Sequence, residues 1–180
     1  MAGRTRGRRR SPDSATRDTV DEIERSAAEL FELDSLVADS SSLILCDKAG
    51  FLPLLAHRVQ LYLVPGVLAE TGFEAQRREL LVTLSTYTEP ETDSAVVRAA
   101  QETGLPLLSD DRTMLERHDR AGGRFYNAVM VLTALFARGA ATVSEFERFR
   151  DELYRHCRYS PAVRAFAAGV YREVRKRRGE

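Results

Sequence analysis

The sequence predicts an α/β fold: a parallel sheet in a three-layer α/β/α sandwich, with a C-terminal helical extension. Three observations predict it. Short apolar runs alternate with helical patterns through most of the chain. Those runs are continuously apolar rather than alternating, as strands are when both faces of a sheet are covered. Beyond residue 140 only helical patterns remain.

Residues 1–18, "MAGRTRGRRRSPDSATRD", are rich in Arg, Ser and Gly and read as a disordered basic tail. "TVDEIERSAAELFEL", 19–33, spaces its apolar residues as a helix does. "SLVA" is a short strand that stops at Asp39. "SSLILCDKAG" is a helix closed by Gly50, and "FLPLLAHR" is a second short helix. "VQLYLV", 59–64, is β-branched and aromatic, hence a strand. Pro65 opens the helix "PGVLAETG" and Gly72 stops it. "ELLVTLSTYTE", 79–89, fits either period, and its second half, Thr83 to Tyr87, is assigned to a strand.

"PETDSAVVRAAQETG" opens with Pro and acids, carries one apolar face and ends at Gly104, which is a well-signalled helix. "LPLLS" is a strand and "DDRTMLERHD" a helix opened by Asp. "RFYNAVMVLTALFARG" reads as one strongly apolar helix. Asn127 is out of place on its core face, so it bonds a helix end or lines a site, and the first is preferred. Helices follow at about 142–157 and 161–177. The boundaries are then a tail to residue 18, a domain over 19–140 that includes the leading helix, and the extension over 141–180.

A chain of 180 residues, 43% hydrophobic and 30% charged, can bury one core. No apolar stretch is long enough to cross a membrane. The basic N-terminus lacks the apolar segment of a secretory signal. A cytoplasmic location with no membrane partner is expected. Cys46 and Cys157 stand far apart, outside any Cys/His ligand spacing, and read as free thiols. His57, His118 and His156 are scattered and read as surface or structural residues. Net charge is zero, yet residues 1–17 hold six Arg against one Asp, and residues 172–180 hold five Arg or Lys against two Glu. The body between is therefore acidic. Such ends can hold phosphates, fold back on the body, or serve solubility.

Acids then recur at strand ends. Asp39 follows "SLVA", Glu70 lies in the helix after "VQLYLV", and Asp110 and Asp111 follow "LPLLS". Asp93 sits in the first turn of the helix before that last strand. In open parallel sheets, functional groups gather beyond the carboxyl ends of the strands. Each acid also has a structural reading. Asp39 and Asp111 suit helix N-caps, Asp93 suits a helix dipole, and Glu70 suits a solvated surface. Gathered together, such carboxylates repel and their pKa values rise. A divalent cation removes that penalty, and hard oxygen donors without His or Cys select Mg²⁺ or Mn²⁺. With no Ser–His or Cys–His pair nearby, this set points to metal-assisted phosphodiester hydrolysis.

These segments resemble the PIN-domain family, which includes the VapC-type toxin ribonucleases. "VADSSSLI" is similar to its first motif, an aspartate ending strand one before small hydroxyl residues. "VPGVLAE" is similar to the second, which ends in glutamate. "DSAVVRAAQETGLPLLSDD" is similar to the third and fourth together, and the likeness covers roughly residues 34–137. The resemblance implies a metal-dependent endoribonuclease acting on RNA. Asp39, Glu70, Asp93 and Asp111 would bind Mg²⁺ or Mn²⁺ or orient the attacking water. Asp110 would take the place of Asp111 if the register slips by one. Ser41 would fix the Asp39 rotamer, or serve as a first-turn cap partner. The toxin branch of the family implies an antitoxin-type protein inhibitor as a partner. Apolar "VMVLTALF" suggests a homodimer, because it exceeds what a small domain would bury.

Two other readings stand beside this one. A PIN-like module that binds nucleic acid or protein without cutting would be free to lose the acids, which are all present. A haloacid-dehalogenase-type phosphatase also places Asp after its first strand but needs DxD there, and this chain has "DSS".

Overall fold

A computed structural model describes residues 12–74 and 78–180, with side chains from Thr19 onward. The tail expected over residues 1–11 lies outside the described residues. The first helix, α1, runs over Pro12–Phe31, so residues 12–18 are helical backbone rather than part of a tail.

The order that follows is β1 (Ser35–Ala38), α2 (Ser40–Lys48), α3 (Leu52–Arg58), β2 (Gln60–Leu63), α4 (Pro65–Thr71) and β3 (Leu81–Thr83). It continues with α5 (Thr92–Thr103), β4 (Leu107–Leu108), α6 (Arg112–Arg120), β5 (Phe125–Tyr126), α7 (Ala128–Ala137), α8 (Val143–His156) and α9 (Pro161–Arg178). The strands form one sheet in the order β3-β2-β1-β4-β5, and every pairing is parallel. The fold is thus a parallel α/β sandwich with a helical C-terminus. Leu36, Val37, Ala38, Leu107 and Leu108 are fully buried, which is why the central strands carry no polar alternation.

Two strand assignments are corrected. The third strand is Leu81–Thr83 rather than Thr83 to Tyr87. Its partner β2 fixes it, with Leu61 opposite Leu81 and Leu63 opposite Thr83. The chain then turns, Tyr87 N–H donating to the Leu84 carbonyl at 3.3 Å. Tyr87 is buried because it packs, with the Arg98 guanidinium 5.3 Å from its ring centre, and not because it lies in the sheet. The second correction concerns "RFYNAVMVLTALFARG". Its start is a strand, Phe125–Tyr126, paired with Leu107–Leu108. Asn127 caps the helix that follows, its side chain accepting the Met130 N–H at 3.0 Å. That is the helix-end role preferred from the sequence.

Every residue of α7 is buried. It packs against α1, α2, α3, α8 and α9, while α5 packs on α6 and β1. The surplus apolar surface from which a homodimer was expected is therefore covered within the chain. Residues 141–180 form the expected helices and share one continuous core with the sheet, through Phe146, Phe149, Leu153, Val170 and Val174. Phe146 stacks flat on Tyr171 at 4.0 Å, and both rings lie against Phe136 of α7.

Candidate functional site

The chain winds from β1 outward to β2 and β3, then returns across β1 to lay down β4 and β5. The order in which strands are added reverses between β1 and β4, the position where ligands bind in open parallel α/β sheets. The register places Ala38 beside Leu108, so the next residues, Asp39 and Ser109, emerge side by side. The Asp39 N–H donates to the Leu108 carbonyl at 3.1 Å and holds them there.

Asp39 is 4% exposed and caps α2. Its Oδ1 accepts the Ser42 N–H at 2.7 Å. Its Oδ2 accepts the Ser109 hydroxyl at 2.6 Å and the Ser41 hydroxyl at 3.1 Å. The bond expected from Ser41 is therefore made. Burial raises the Asp39 carboxyl above its ordinary value against the opposing pull of these donors. Ser109 was given no role of its own from the sequence, although it stands in the quoted "LLSDD". Its oxygen also accepts the Asp111 N–H at 3.0 Å, linking the first acid to the last.

Asp111 is exposed and caps α6, with Oδ1 accepting the Met114 N–H at 2.8 Å. Asp110 points elsewhere. It accepts from the Ser42 hydroxyl at 2.9 Å, the Tyr159 hydroxyl at 2.6 Å and the Ala128 N–H at 3.2 Å. Burial raises its carboxyl, and those donors pull the other way. Between the two, Asp111 has the freer side chain, which favours the register that makes it the fourth acid.

Glu70 is exposed on α4 and accepts the Ser40 hydroxyl at 2.6 Å. Asp93 is exposed in the first turn of α5. Gly66 lets α4 and α5 approach there, since a Cβ at Gly66 would stand 2.5 Å from Thr92 Oγ1. The Asp93 carboxyl is raised, first by partial desolvation and then by the charges of Asp111, Asp39 and Glu70. The four acids are therefore electrostatic neighbours at the carboxyl end of the sheet. Among the described residues, none of Asp39, Glu70, Asp93, Asp110 and Asp111 forms an ion pair.

Neighbourhood is not coordination. Among the described residues, no three His, Cys, Asp or Glu side chains form a group that would hold a metal ion. The reason lies in their bonds: Glu70 is turned to Ser40, Asp111 to its own helix, and Asp110 to Tyr159. In chemistry the set fits a hard divalent cation. In position it needs the exposed side chains of Glu70, Asp93 and Asp111 to rotate.

The chain matches no family model, and no curated protein or solved structure shows a significant match.

The remaining candidates resolve simply. His57 and His156 are exposed, while His118 is buried with Nε2 3.0 Å from the Arg124 carbonyl oxygen. Cys46 and Cys157 are both free thiols. The basic run at the end of α9 is largely engaged. Lys176 and Arg177 pair with Glu173, Arg178 pairs with Glu180, and Arg177 also donates to the Glu24 carbonyl at 2.9 Å. Among the described residues, no helix is long and apolar enough to cross a membrane.

Proposed function

We propose that the protein is a PIN-like, Mg²⁺- or Mn²⁺-dependent endoribonuclease. What supports the reading is that Asp39 and Asp111 stand just beyond the ends of β1 and β4, that Asp93 feels the charges of Asp111, Asp39 and Glu70, and that none of the four has an ion-pair partner among the described residues. The raised carboxyls of Asp39 and Asp93 mark a cost of burial and like charge that a cation would recover. Asp39, Glu70, Asp93 and Asp111 would hold the ion, and a bound ion of this type lowers the pKa of water and stabilises charge on a phosphoryl oxygen. Asp39 is the fixed member of the set, oriented by Ser109, Ser42 and Ser41. The exposed side chains of Glu70, Asp93 and Asp111 would complete the ion's oxygen ligands or orient the attacking water. Ser109 holds the first and last acids in register. An antitoxin-type inhibitor is the partner this reading brings with it if the protein is the toxin of a pair.

The test is cleavage of a mixed RNA pool with Mg²⁺ or Mn²⁺ and with EDTA, comparing wild type with Asp39→Asn. Cutting that needs the metal and vanishes in the variant supports the reading. RNA that is bound but left intact by wild type overturns it in favour of a binding module. Absence of both cutting and calorimetric Mn²⁺ binding reduces the acids to caps and surface charges.

A further inference from the structure

Tyr159 lies in the short link between α8 and α9, at the far end of the sequence from the candidate acids. Its hydroxyl donates to Asp110 Oδ1 at 2.6 Å. The other oxygen of Asp110 accepts the Ser42 hydroxyl at 2.9 Å. The backbone N–H of the same Ser42 donates to Asp39 Oδ1 at 2.7 Å. Ser42 is fully buried, so each of its polar groups must find a partner inside the protein. One serine thus spans the two aspartates, and one tyrosine from the C-terminal helices closes the chain of bonds.

We propose that Tyr159 is a positioning residue for the Asp39 site, acting through Asp110 and Ser42, so that the α8–α9 hairpin is a working part of that site. The role in catalysis rests on the nuclease reading above. The mechanical coupling does not.

The physical argument turns on how Asp110 is held. It bonds three elements at once: α2 through Ser42, the start of α7 through the Ala128 N–H, and the α8–α9 link through Tyr159. Without the tyrosine hydroxyl, Oδ1 keeps only the long Ala128 contact at 3.4 Å. The carboxylate then swings toward Ala128, and Ser42 loses a fixed acceptor. The first turn of α2 loosens where Asp39 must hold its rotamer. Partners that orient a ligand in this way are typically worth about 10–100-fold in metal affinity or activity.

The test uses the full chain and compares wild type, Tyr159→Phe and Tyr154→Phe. Tyr154 stands edge-on to Tyr159 with ring centres 5.9 Å apart, so its variant removes a hydroxyl from the same hairpin without touching Asp110. The readouts are amide hydrogen exchange at Ser42, Mn²⁺ affinity by calorimetry, and kcat and KM on RNA. Tyr159→Phe should speed exchange at Ser42, weaken Mn²⁺ binding and lower kcat about tenfold with KM for RNA held. Tyr154→Phe should leave all of these near wild type. If Ser42 exchange rises in Tyr159→Phe while wild type neither binds Mn²⁺ nor cuts, the coupling stands and the nuclease reading falls. If Ser42 exchange is unchanged in Tyr159→Phe, or changes equally in Tyr154→Phe, the positioning role is overturned.

Discussion

At Asp39 one carboxylate is both helix cap and candidate ligand, and substitutions there separate the two roles. Asparagine keeps an acceptor for the Ser42 N–H and is as good an N-cap as aspartate. It gives up the anionic oxygen that Ser109 and Ser41 approach. Asp39→Asn should therefore melt close to wild type yet lose about three orders of magnitude in rate, the equivalent of several kcal/mol of charge stabilisation. Asp39→Ala loses the cap as well, about 1 kcal/mol, and strands the buried Ser109 hydroxyl at a further cost of about 1–3 kcal/mol. Melting curves and rates on the same samples decide the matter. A cleanly folded Asp39→Asn that cuts like wild type would show that the acid is only a cap. His118 supplies an independent check on the described interior. Desolvation lowers its pKa below the ordinary 6.5. The neutral ring is then the native form, and its contribution to stability is complete above pH 6.5 and is lost as pH falls toward the folded value. An NMR titration of the ring protons should give a midpoint below 6.5, and one at or above it would contradict the burial described.

Between residues and the whole molecule, the connection from α6 to β5 shows how an element boundary is enforced. A Cβ on Gly123 would stand 2.1 Å from His118 Nε2, and that residue is 1% exposed. Gly123→Ala should destabilise the protein by about 1–3 kcal/mol, the usual cost of overpacking, and thermal or denaturant unfolding reads it directly. A substitution without effect there would mean that His118 is not packed as described. This boundary is also where the sequence was least legible. Phe125 and Tyr126 have residue types that either a strand or the start of an apolar helix accepts. Nothing local separates them from α7 except Asn127, a residue type favoured at caps. The strand exists because β4 offers it an edge, which is a long-range fact. The third strand slipped for the same reason, its register being fixed by β2. The other strands were readable because they are apolar runs bounded by Asp, Pro or Gly, and α4 and α5 because Gly72 and Gly104 close them in the left-handed conformation. The candidate acids were legible through the same punctuation, each standing just after a strand or within the helix that follows. Tyr159 was not, because 49 residues separate it from Asp110 and no local pattern records the contact.

At the scale of the whole molecule, the acids at one end of the sheet act on the stability of everything behind them. The carboxyls of Asp39, Asp93 and Asp110 are all raised, so the fold at neutral pH bears a charge cost that the unfolded chain does not. A ligand that binds the native site alone stabilises the whole core by mass action. At a concentration a hundred times its Kd the gain is about 2.7 kcal/mol. For a chain of this length, at about 2–4 °C per kcal/mol, that shifts the melting temperature upward by about 5–11 °C. Mg²⁺ or Mn²⁺ should produce such a shift in the full-length protein, and Asp39→Asn or Asp111→Asn should remove most of it. Substituting Asp34 should not, because Asp34 already pairs with Arg138 at 3.0 Å away from the candidate acids. Falling pH should weaken the metal-induced shift, since protons compete for the same raised carboxyls. A shift of equal size in wild type and in both site variants would place the ion elsewhere on the surface, and the acids at β1 and β4 would then need another explanation.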